Sequence, residues 1–272
     1  MHTLYIVPTP IGNLEDITLR ALRILREVSV IAAEDTRTTR KLLTRYDIHT
    51  PLTSYHEHNK LTKLDAIFEA LASGDVALVS DAGTPGVSDP GYELIQEALA
   101  RGITVVPLPG PAAVIVALVA SGLPTDRFMF VGFLPRKQKA LHEALTELVA
   151  ERVTLIAYES PNRLVETLEA IHRVLGDRPV AVGRELTKLY EEIWRGPVSK
   201  AIEHFQTTEP KGEITLVIGG APESTAEDQP WDEARVREAL RAWLEAGETR
   251  SSAARRIAAE SGWKRRDIYD LD

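Results

Sequence analysis

Short apolar runs alternate with amphipathic stretches along the first half of the chain. The runs at 4–7, 28–33, 76–79 and 103–106 predict buried strands, because they are short, rich in Val and Ile and bounded by turn-forming residues. Apolar side chains that recur every three or four positions predict helices at about 16–26, 36–46, 61–72, 92–100 and 112–120. This alternation predicts a mostly parallel sheet covered by helices.

The pattern changes beyond residue 122, where strands become more frequent. Strands are predicted at 127–133, 153–158, 179–182, 190–194 and 213–218, and helices at 138–150, 162–174 and 198–206. The short gap between 179–182 and 190–194 permits antiparallel pairing. A Gly-, Pro- and acid-containing stretch then precedes a segment with helical periodicity only, at 231–245, at 249–260 and after Gly262.

These elements predict an α/β protein in four segments. With 272 residues, the chain is long enough for two medium domains and an appendage. We predict an N-terminal α/β domain over 1–122, a mixed α+β domain over 123–219, a flexible linker over 220–230 and a basic helical tail over 231–272.

Composition narrows the class of protein. The 44% hydrophobic and 26% charged residues are typical of a soluble globular protein, and the absence of cysteine excludes disulfides and thiolate chemistry. The first residues lack the basic region of a signal peptide, and no apolar stretch reaches the ~18 residues of a membrane span. A cytoplasmic protein without membrane contact is therefore expected. The net charge of -8 argues against nucleic-acid binding unless the basic residues are clustered.

Three loops rich in Gly and Pro follow strands of the first half, at 8–12, 81–86 and 109–111. Open α/β sheets bind small molecules at the carboxyl ends of their strands, so these loops predict a ligand site. None of them matches the Gly patterns that hold dinucleotides or nucleotide phosphates. A ligand recognised through backbone groups and apolar contact is expected. S-adenosylmethionine fits this description, since its sulfonium tolerates a nearby carboxylate such as Asp81.

Seven spaced segments together resemble one family. In chain order they are VPTPIGNLEDITLRAL (7–22), AAEDTRTTRKLL (32–43), SYHEHN (54–59), LVSDAGTPGVSDPG (78–91), PLPGPAAV (107–114), YESPNRL (158–164) and GRELTKLYEEIWRG (183–196). They closely resemble the bacterial small-subunit ribosomal RNA methyltransferase I family, of the tetrapyrrole-methylase class, over about 3–219. The resemblance implies a two-domain tetrapyrrole-methylase-like fold with S-adenosylmethionine bound between the domains, and a homodimer. It also implies methyl transfer to the ribose 2′-oxygen of a cytidine in the decoding region of 16S rRNA.

The same resemblance implies a set of cofactor-binding residues, position by position. They come from the three loops and from strand ends of the second domain, and they are Pro10, Gly12, Asp81, Ala82, Gly83, Thr84, Pro85, Val87, Ala112, Ala113, Tyr158, Leu186, Gly212, Glu213 and Ile214. No metal ion is expected, because methyl transfer needs none.

A first group of catalytic candidates follows the second predicted strand. A ribose hydroxyl is protonated at neutral pH, so the reaction needs alignment of the reactants and a proton acceptor. Glu34, Asp35 and Arg37 open a helix at the carboxyl edge of the predicted sheet. Asp35 or Thr36 could equally serve only as a helix cap.

A second group of catalytic candidates follows strands of the second domain. Glu159, Arg184 and Glu185 lie at the ends of predicted strands, although Glu159 could equally be a surface acid and the other two an exposed ion pair. The proton acceptor stays open among Glu34, Asp35, Asp81, Glu159 and Glu185.

Basic residues form three clusters that predict RNA contacts. The first shares one helix face and consists of Arg37, Arg40, Lys41 and Arg45; the second, in 136–139, includes Arg136 and Lys137. The third lies in the tail, which resembles a helix-turn-helix with Ala253, Ala254, Ile257 and Ala258 inside and Arg250, Arg255, Arg256, Lys264, Arg265 and Arg266 outside. The alternatives are solvated helix faces and a small stabilising bundle. His56 and His58 are expected to contact RNA rather than a metal ion.

Two other functions fit parts of the sequence. A small-molecule methyltransferase of the same class could act on a tetrapyrrole, but the basic clusters argue against it because a porphyrinoid needs none. A non-catalytic nucleic-acid-binding regulator could use the tail alone, but the Gly-rich loops would then serve no purpose.

Overall fold

The computed structural model describes residues 2–56, 60–222 and 231–271. The chain forms two compact units, Met1–Ala221 and Pro222–Asp272. In the described part, no helix is long and apolar enough to cross a membrane. Residues 223–230 of the predicted linker and His58 of the predicted RNA contacts lie outside the described residues.

A five-stranded parallel sheet is the frame of the N-terminal half, as predicted. Its strands are β1 (Thr3–Ile6), β2 (Val30–Ala33), β3 (Leu52–Ser54), β4 (Val76–Val79) and β5 (Thr104–Pro107), in the order β3-β2-β4-β1-β5. All four residues of the central β4 are buried, because helices cover both faces of the sheet. The sequence prediction missed β3, a three-residue strand with two polar residues.

Five helices accompany this sheet. They are α1 (Leu19–Glu27), α2 (Thr36–Arg45), α3 (Lys60–Ser73), α4 (Tyr92–Ala100) and α5 (Ala113–Ser121). The predicted start of α1 at residue 16 is three residues too early. Thr18 accepts a hydrogen bond from the Ala21 N–H and caps the helix, and a 3₁₀ turn occupies Leu14–Asp16.

A mixed five-stranded sheet is the frame of the second half. Its strands are β6 (Phe128–Phe133), β7 (Thr154–Glu159), β8 (Pro179–Arg184), β9 (Glu192–Pro197) and β10 (Ile214–Ile218), in the order β6-β7-β10-β8-β9. Only β6 and β7 are parallel, and the expected antiparallel pairing of β8 with β9 is confirmed. The helices here are α6 (Gln138–Glu147), α7 (Leu164–Leu175) and α8 (Val198–Thr207).

The two faces of the second sheet bury different side chains. On β7, Leu155 and Ala157 pack into a core with α6, α7 and α8, whereas Ile156 and Tyr158 point to the other face. Helix α5 covers that other face and packs against β8 and β10. Because α5 is apolar on nearly all sides, it joins the N-terminal half to the second sheet within one compact unit. The domain boundary at 122 stays a prediction.

The second unit contains a three-helix core. Its helices are α9 (Glu233–Glu245), α10 (Arg250–Ser261) and α11 (Arg265–Tyr269). The core residues are Val236, Leu240, Ala253, Ala254, Ile257 and Ile268, so the predicted inward face of α10 is confirmed. Gly262 ends α10 at a φ of 72°, a conformation that glycine adopts at little cost.

Candidate active site

Three loops meet at the carboxyl edge of the parallel sheet. We name them loop 1 (8–13, after β1), loop 2 (80–91, after β4) and loop 3 (108–112, after β5). Loops 1 and 2 are joined by two backbone hydrogen bonds, from Thr9 N to Gly83 O and from Gly83 N to Thr9 O, each 2.9 Å. The Thr84 hydroxyl donates to Pro111 O at 3.4 Å and links loop 2 to loop 3. The predicted Gly- and Pro-rich segments therefore form one continuous surface.

Loop 2 needs glycine where it turns. Gly83 has a φ of 79°, which disfavours any residue with a side chain, and an added Cβ would lie 3.6 Å from Ile11 Cγ2 and 3.9 Å from Pro111 O. Gly91 has a φ of 144°, and an added Cβ would lie 3.2 Å from Gly86 N. These positions let the backbone of loop 2 fold back on itself.

Tyr158 of the second sheet lies near loop 2 and the start of α5. Its ring contacts Phe130 and Phe133, with centroids 4.9 and 5.4 Å away. Burial raises the pKa of Tyr158, the negative charge of Asp89 on loop 2 raises it further, and a backbone hydrogen bond from Val114 opposes both. The predicted cofactor-binding residue Tyr158 therefore lies in a cleft between loop 2 and the second sheet.

Loop 1 packs directly against the segment that follows β8. A Cβ added to Gly12 would lie 2.8 Å from Leu186 O and 2.7 Å from Thr187 Oγ1. Leu186 is buried in the same apolar cluster as Ile11 and Val114. The structure thus brings the predicted Gly12 and Leu186 together and leaves no room for a side chain at residue 12.

Three more predicted cofactor-binding residues, Gly212, Glu213 and Ile214, lie at the start of β10. The Ile214 side chain belongs to the core on the face of the second sheet that packs with α6, α7 and α8, away from Tyr158. A side chain at Gly212, which has a φ of 87°, would collide with the Glu185 carboxylate. Glu213 is mostly exposed and lies 3.3 Å from Lys188 Nζ. Of these three predicted residues, Ile214 does not present its side chain to the cleft.

Three carboxylates from β2 and loop 2 form what we call the acidic cluster: Glu34, Asp81 and Asp89. The Asp81 N–H donates to Glu34 Oε2 at 3.2 Å, and the Asp35 N–H donates to Asp81 Oδ1 at 3.0 Å. Burial is the main reason why the pKa of each carboxylate is raised. Neighbouring like charges add to this effect, from Asp35 for Glu34 and Asp81 and from the other two members of the cluster for Asp89.

Asp89 has the most strongly raised pKa of the acidic cluster. Burial and the charges of Glu34 and Asp81 raise the pKa of Asp89 to about 6, although the Ser80 hydroxyl opposes the shift. Sequence reasoning missed Asp89 as a candidate, because Asp-Pro-Gly is typical of a turn. Only the folded structure reveals Asp89 as a candidate, because the pairing of β2 with β4 brings residue 34 beside loop 2.

Asp35 and Arg37 form an ion pair at the start of α2. Arg37 Nη2 lies 2.6 Å from Asp35 Oδ2, and the Asp35 side chain also accepts from the Arg37 N–H at 2.8 Å. The hydrogen bonds from Arg37 lower the pKa of Asp35 to about 2. Asp35 is therefore a helix cap that stays ionised, which matches the alternative interpretation and makes it a poor proton acceptor.

Glu159 is enclosed in the core of the second half. Its side chain is 0% exposed, accepts hydrogen bonds from Thr167 Oγ1 at 2.6 Å and Ser160 N at 2.7 Å, and lies 3.3 Å from Arg163 Nη1. Because strand residues alternate between faces, Glu159 points away from the face that carries Tyr158. The structure does not bring this catalytic candidate to the acidic cluster.

Arg184 and Glu185 are also paired within the second half. Arg184 Nε donates to Glu192 Oε2 at 2.9 Å. Glu185 Oε1 accepts from Lys188 Nζ at 2.8 Å and from the Glu213 N–H at 2.9 Å, and the bond from Lys188 is the main cause that lowers the pKa of Glu185. These contacts hold the segment after β8 in place, and the catalytic role of the two residues stays a prediction.

The predicted basic face of α2 lines an open groove. The groove has a volume of about 420 Å³ and is lined by Thr36, Arg37, Arg40, Lys41 and Thr44. Arg45 instead lies over the Tyr46 ring, 5.5 Å from its centroid. The charge of His56 lowers the pKa of Glu34, so this residue lies near the acidic cluster. Arg136 and Lys137 are exposed just before α6.

Some basic residues of the tail are exposed, and others contact neighbouring residues of the tail. Arg255 and Lys264 are exposed, whereas Arg256 lies over the Trp243 ring at 4.9 Å and Arg265 donates to Ser251 Oγ at 2.7 Å. Arg266 is exposed, with Asp270 3.8 Å away. The expectation that Arg250 faces outward is wrong, because Arg250 donates to Tyr269 O at 3.0 Å and ties α10 to the end of the chain.

The chain was compared with known protein families. A sequence model of the Tetrapyrrole (Corrin/Porphyrin) Methylases matches residues 3–202. The protein named "Ribosomal RNA small subunit methyltransferase I" of Halalkalibacterium halodurans is 47% identical over 271 residues, which cover 99% of this chain and 94% of that protein. The protein of the same name in Thermotoga maritima is 50% identical over 221 residues, which cover 81% of this chain and 99% of that protein.

Solved structures share the fold. Uroporphyrin-III C-methyl transferase from Thermus thermophilus, complexed with S-adenyl homocysteine, is 20% identical and superimposes with a TM-score of 0.57 over 80% of this chain and 97% of that chain. Cobalt precorrin-4 methyltransferase is 18% identical, with a TM-score of 0.63 over 80% of this chain and 94% of that chain. At such identities the likeness shows a common architecture for the two sheets.

Proposed function

Because the chain belongs to the ribosomal RNA small subunit methyltransferase I family, within the tetrapyrrole methylases, we propose that it methylates small-subunit ribosomal RNA with S-adenosylmethionine. The observation that carries the proposal is 47% identity over 99% of the chain to a protein of that name. The finer proposal is that the methyl group goes to the ribose 2′-oxygen of a cytidine in the decoding region of 16S rRNA.

The cleft suits S-adenosylmethionine chemically. When bound, this cofactor supplies an electrophilic methyl group on a positively charged sulfur. The acidic cluster provides negative charge for such a cation. Burial raises the pKa values of its carboxylates, and a bound cation would favour their ionised forms. We propose that loops 1, 2 and 3 hold the cofactor through backbone groups, with Tyr158 and Leu186 on the opposite wall.

We propose that the acidic cluster also accepts the proton of the attacking hydroxyl. Asp89 suits this role best, because a pKa of about 6 leaves it ionised at neutral pH and close to the value that favours proton transfer. Glu34 and Asp81 each already accept a backbone N–H. When the 2′-oxygen bonds to the methyl carbon, the sulfur–methyl bond would break and S-adenosylhomocysteine would leave. Asp89 would take the hydroxyl proton, and Glu34 and Asp81 would position loop 2.

The basic clusters support a polymeric substrate. We propose that the α2 groove, Arg136 and Lys137, and the tail bind the phosphate backbone. The match to the Thermotoga maritima relative covers 99% of that protein and 81% of this chain, so about a fifth of this chain has no counterpart there. We propose that the tail is an accessory to the named activity. Deletion of 222–272 should raise the KM for small subunits several-fold at physiological salt and leave kcat unchanged. An unchanged KM would remove the tail from the RNA-binding surface.

A homodimer is part of the proposal. Ile115 and Val119, one turn apart on α5, are 47% and 71% exposed, and Phe128 and Met129 are exposed on the edge strand β6. Exposed apolar side chains of this kind are typical of subunit interfaces. Sedimentation equilibrium should give twice the chain mass. A cytoplasmic location follows from the proposed substrate.

Methyl transfer with radiolabelled S-adenosylmethionine tests the function. Small ribosomal subunits, naked 16S rRNA and a tetrapyrrole would be offered in parallel, and mass spectrometry of the labelled RNA would identify the nucleotide and the methylated atom. Label in the small subunit or its rRNA is expected. Label in the tetrapyrrole alone would favour the small-molecule methyltransferase, and cofactor binding without any transfer would favour the nucleic-acid-binding regulator.

A further inference from the structure

A small cavity lies between loop 1, α2 and the start of loop 2. Its volume is about 170 Å³. Its walls include Pro10 from loop 1, Leu14 from the 3₁₀ turn that follows, Thr39 and Lys41 from α2, and Ser80 and Asp81 from loop 2. Drug-sized ligands and cofactors occupy pockets of roughly 300–1,000 Å³. This cavity is therefore suited to a fragment such as a single ring, and it is too small for a tetrapyrrole.

Thr39 is the unusual residue of this cavity. Its side chain is 3% exposed, and its Oγ1 has no hydrogen-bond partner among the residues that the structure describes. A buried hydroxyl without a partner costs roughly 1–3 kcal/mol, so native proteins seldom keep one without a reason. Because this hydroxyl is buried, a rotation of the Thr39 side chain would bring it to a polar ligand group in the cavity, and that group would supply the missing partner.

Lys41 connects this cavity to the basic groove of α2. Lys41 lines both the cavity and the groove that also contains Arg37 and Arg40. Asp81 of the acidic cluster also lines the cavity. A polyanion along α2 could therefore direct one of its units past Lys41 towards the carboxylates.

We propose that this cavity receives the base of the nucleotide to be methylated, unstacked from its RNA, and that the Thr39 hydroxyl hydrogen-bonds to the edge of that base. The inference rests on the proposed function, since it names the part of the RNA that enters the same site. Proteins read single-stranded RNA by extruding bases into pockets that contact their polar edges. Thr39 is thus a specificity-determining residue, and the sugar of the same nucleotide lies towards Asp81.

Replacement of the hydroxyl by a methyl group tests the inference. Thr39→Val keeps the shape of the side chain, so kcat/KM for small subunits should fall roughly tenfold, with S-adenosylmethionine affinity unchanged by calorimetry. Because the lost hydroxyl is unpaired in the free protein, the Tm should stay the same or rise. Thr39→Ser should restore activity. Thr146→Val, the same exchange on the exposed face of α6, is the matched control and should change nothing.

A change of the target base in the RNA shows whether Thr39 recognises that base or has a purely structural role. The methylated nucleotide is first mapped with the wild-type protein, and its base is then exchanged in the RNA. This exchange should reduce kcat/KM for the wild type, and it should reduce kcat/KM for Thr39→Val by a smaller factor.

Equal factors for the two proteins, or a loss of S-adenosylmethionine affinity in Thr39→Val, would overturn the inference and assign the cavity to structure or to the cofactor. Methylation by the wild-type protein would still uphold the proposed function in that case. If the wild type methylates no ribosomal RNA, the proposed function fails, and the inference fails with it.

Discussion

Acidic residues at the strand ends of the two sheets differ in how their charges are balanced. In the second sheet, Glu159 faces Arg163 and Glu185 faces Lys188, each with further hydrogen bonds. In the first sheet, Glu34, Asp81 and Asp89 have raised pKa values because they are partly buried and close to one another. Balanced acids hold a fold together, whereas acids with raised pKa values are suited to bind a cation or accept a proton.

The largest expected effect concerns Asp89. Asp89→Asn should lower kcat for ribosomal RNA by about 10²–10³-fold, because it removes the proposed proton acceptor. Asp126→Asn, an exposed residue before β6, is the matched control. Steady-state kinetics with small ribosomal subunits would measure both. A variant that keeps the wild-type kcat would exclude Asp89 as the acceptor and direct attention to Glu34.

The same variant has a predictable effect on stability. Folding raises the pKa of Asp89 to about 6, so its ionised form destabilises the fold, most of all above that pH. Asp89→Asn should therefore raise the Tm by about 3 °C near pH 8 and leave it unchanged near pH 3, where the carboxylate is protonated in both states. A lower Tm at pH 8 would mean that Asp89 supports the fold instead.

A smaller effect, on stability alone, is expected for the second sheet. Glu159→Gln should lower the free energy of unfolding by about 2 kcal/mol, because it leaves the partly buried Arg163 without its counter-charge. Glu143→Gln, which breaks an exposed pair with Lys139, should cost less than about 0.5 kcal/mol. Urea titrations would compare the two. A large loss of kcat in Glu159→Gln that is still fully folded would return Glu159 to the catalytic candidates.

The smallest expected effect is a pH dependence of cofactor binding. A bound cation favours the ionised form of Asp89, so acidification from pH 8 to pH 5 should weaken S-adenosylmethionine binding by roughly tenfold. S-adenosylhomocysteine has a neutral sulfur and should lose much less affinity. Calorimetry at both pH values measures the difference. Equal losses for the two ligands would show that the acidic cluster does not sense the sulfonium.

Much of the frame follows from local sequence. The boundaries of β4 and α4 match the predictions at 76–79 and 92–100, because an apolar run and a helical period are separated by a loop rich in Gly and Pro. By contrast, β3 has too few residues for a pattern to emerge.

The assignment of catalytic residues could not be completed from sequence. Tyr158 and Glu159 are adjacent in a strand buried on both sides, so the alternation of side chains does not reveal which of them faces the cleft. Asp89 becomes a candidate only when the pairing of β2 with β4 places Glu34 near loop 2. Long-range pairing and burial decide both cases, and neither is encoded in a local motif.

The position of α5 determines where the chain could be divided. Ala117 and Leu118 of this helix pack with Ile156 and Val217 of the second sheet, so the helix precedes its packing partners in the chain. A gene split after codon 122 would give a first fragment with an uncovered apolar helix, prone to aggregate. A split in loop 3 would instead keep α5 with its partners in the second sheet, and fragment complementation should be more efficient there than after codon 122.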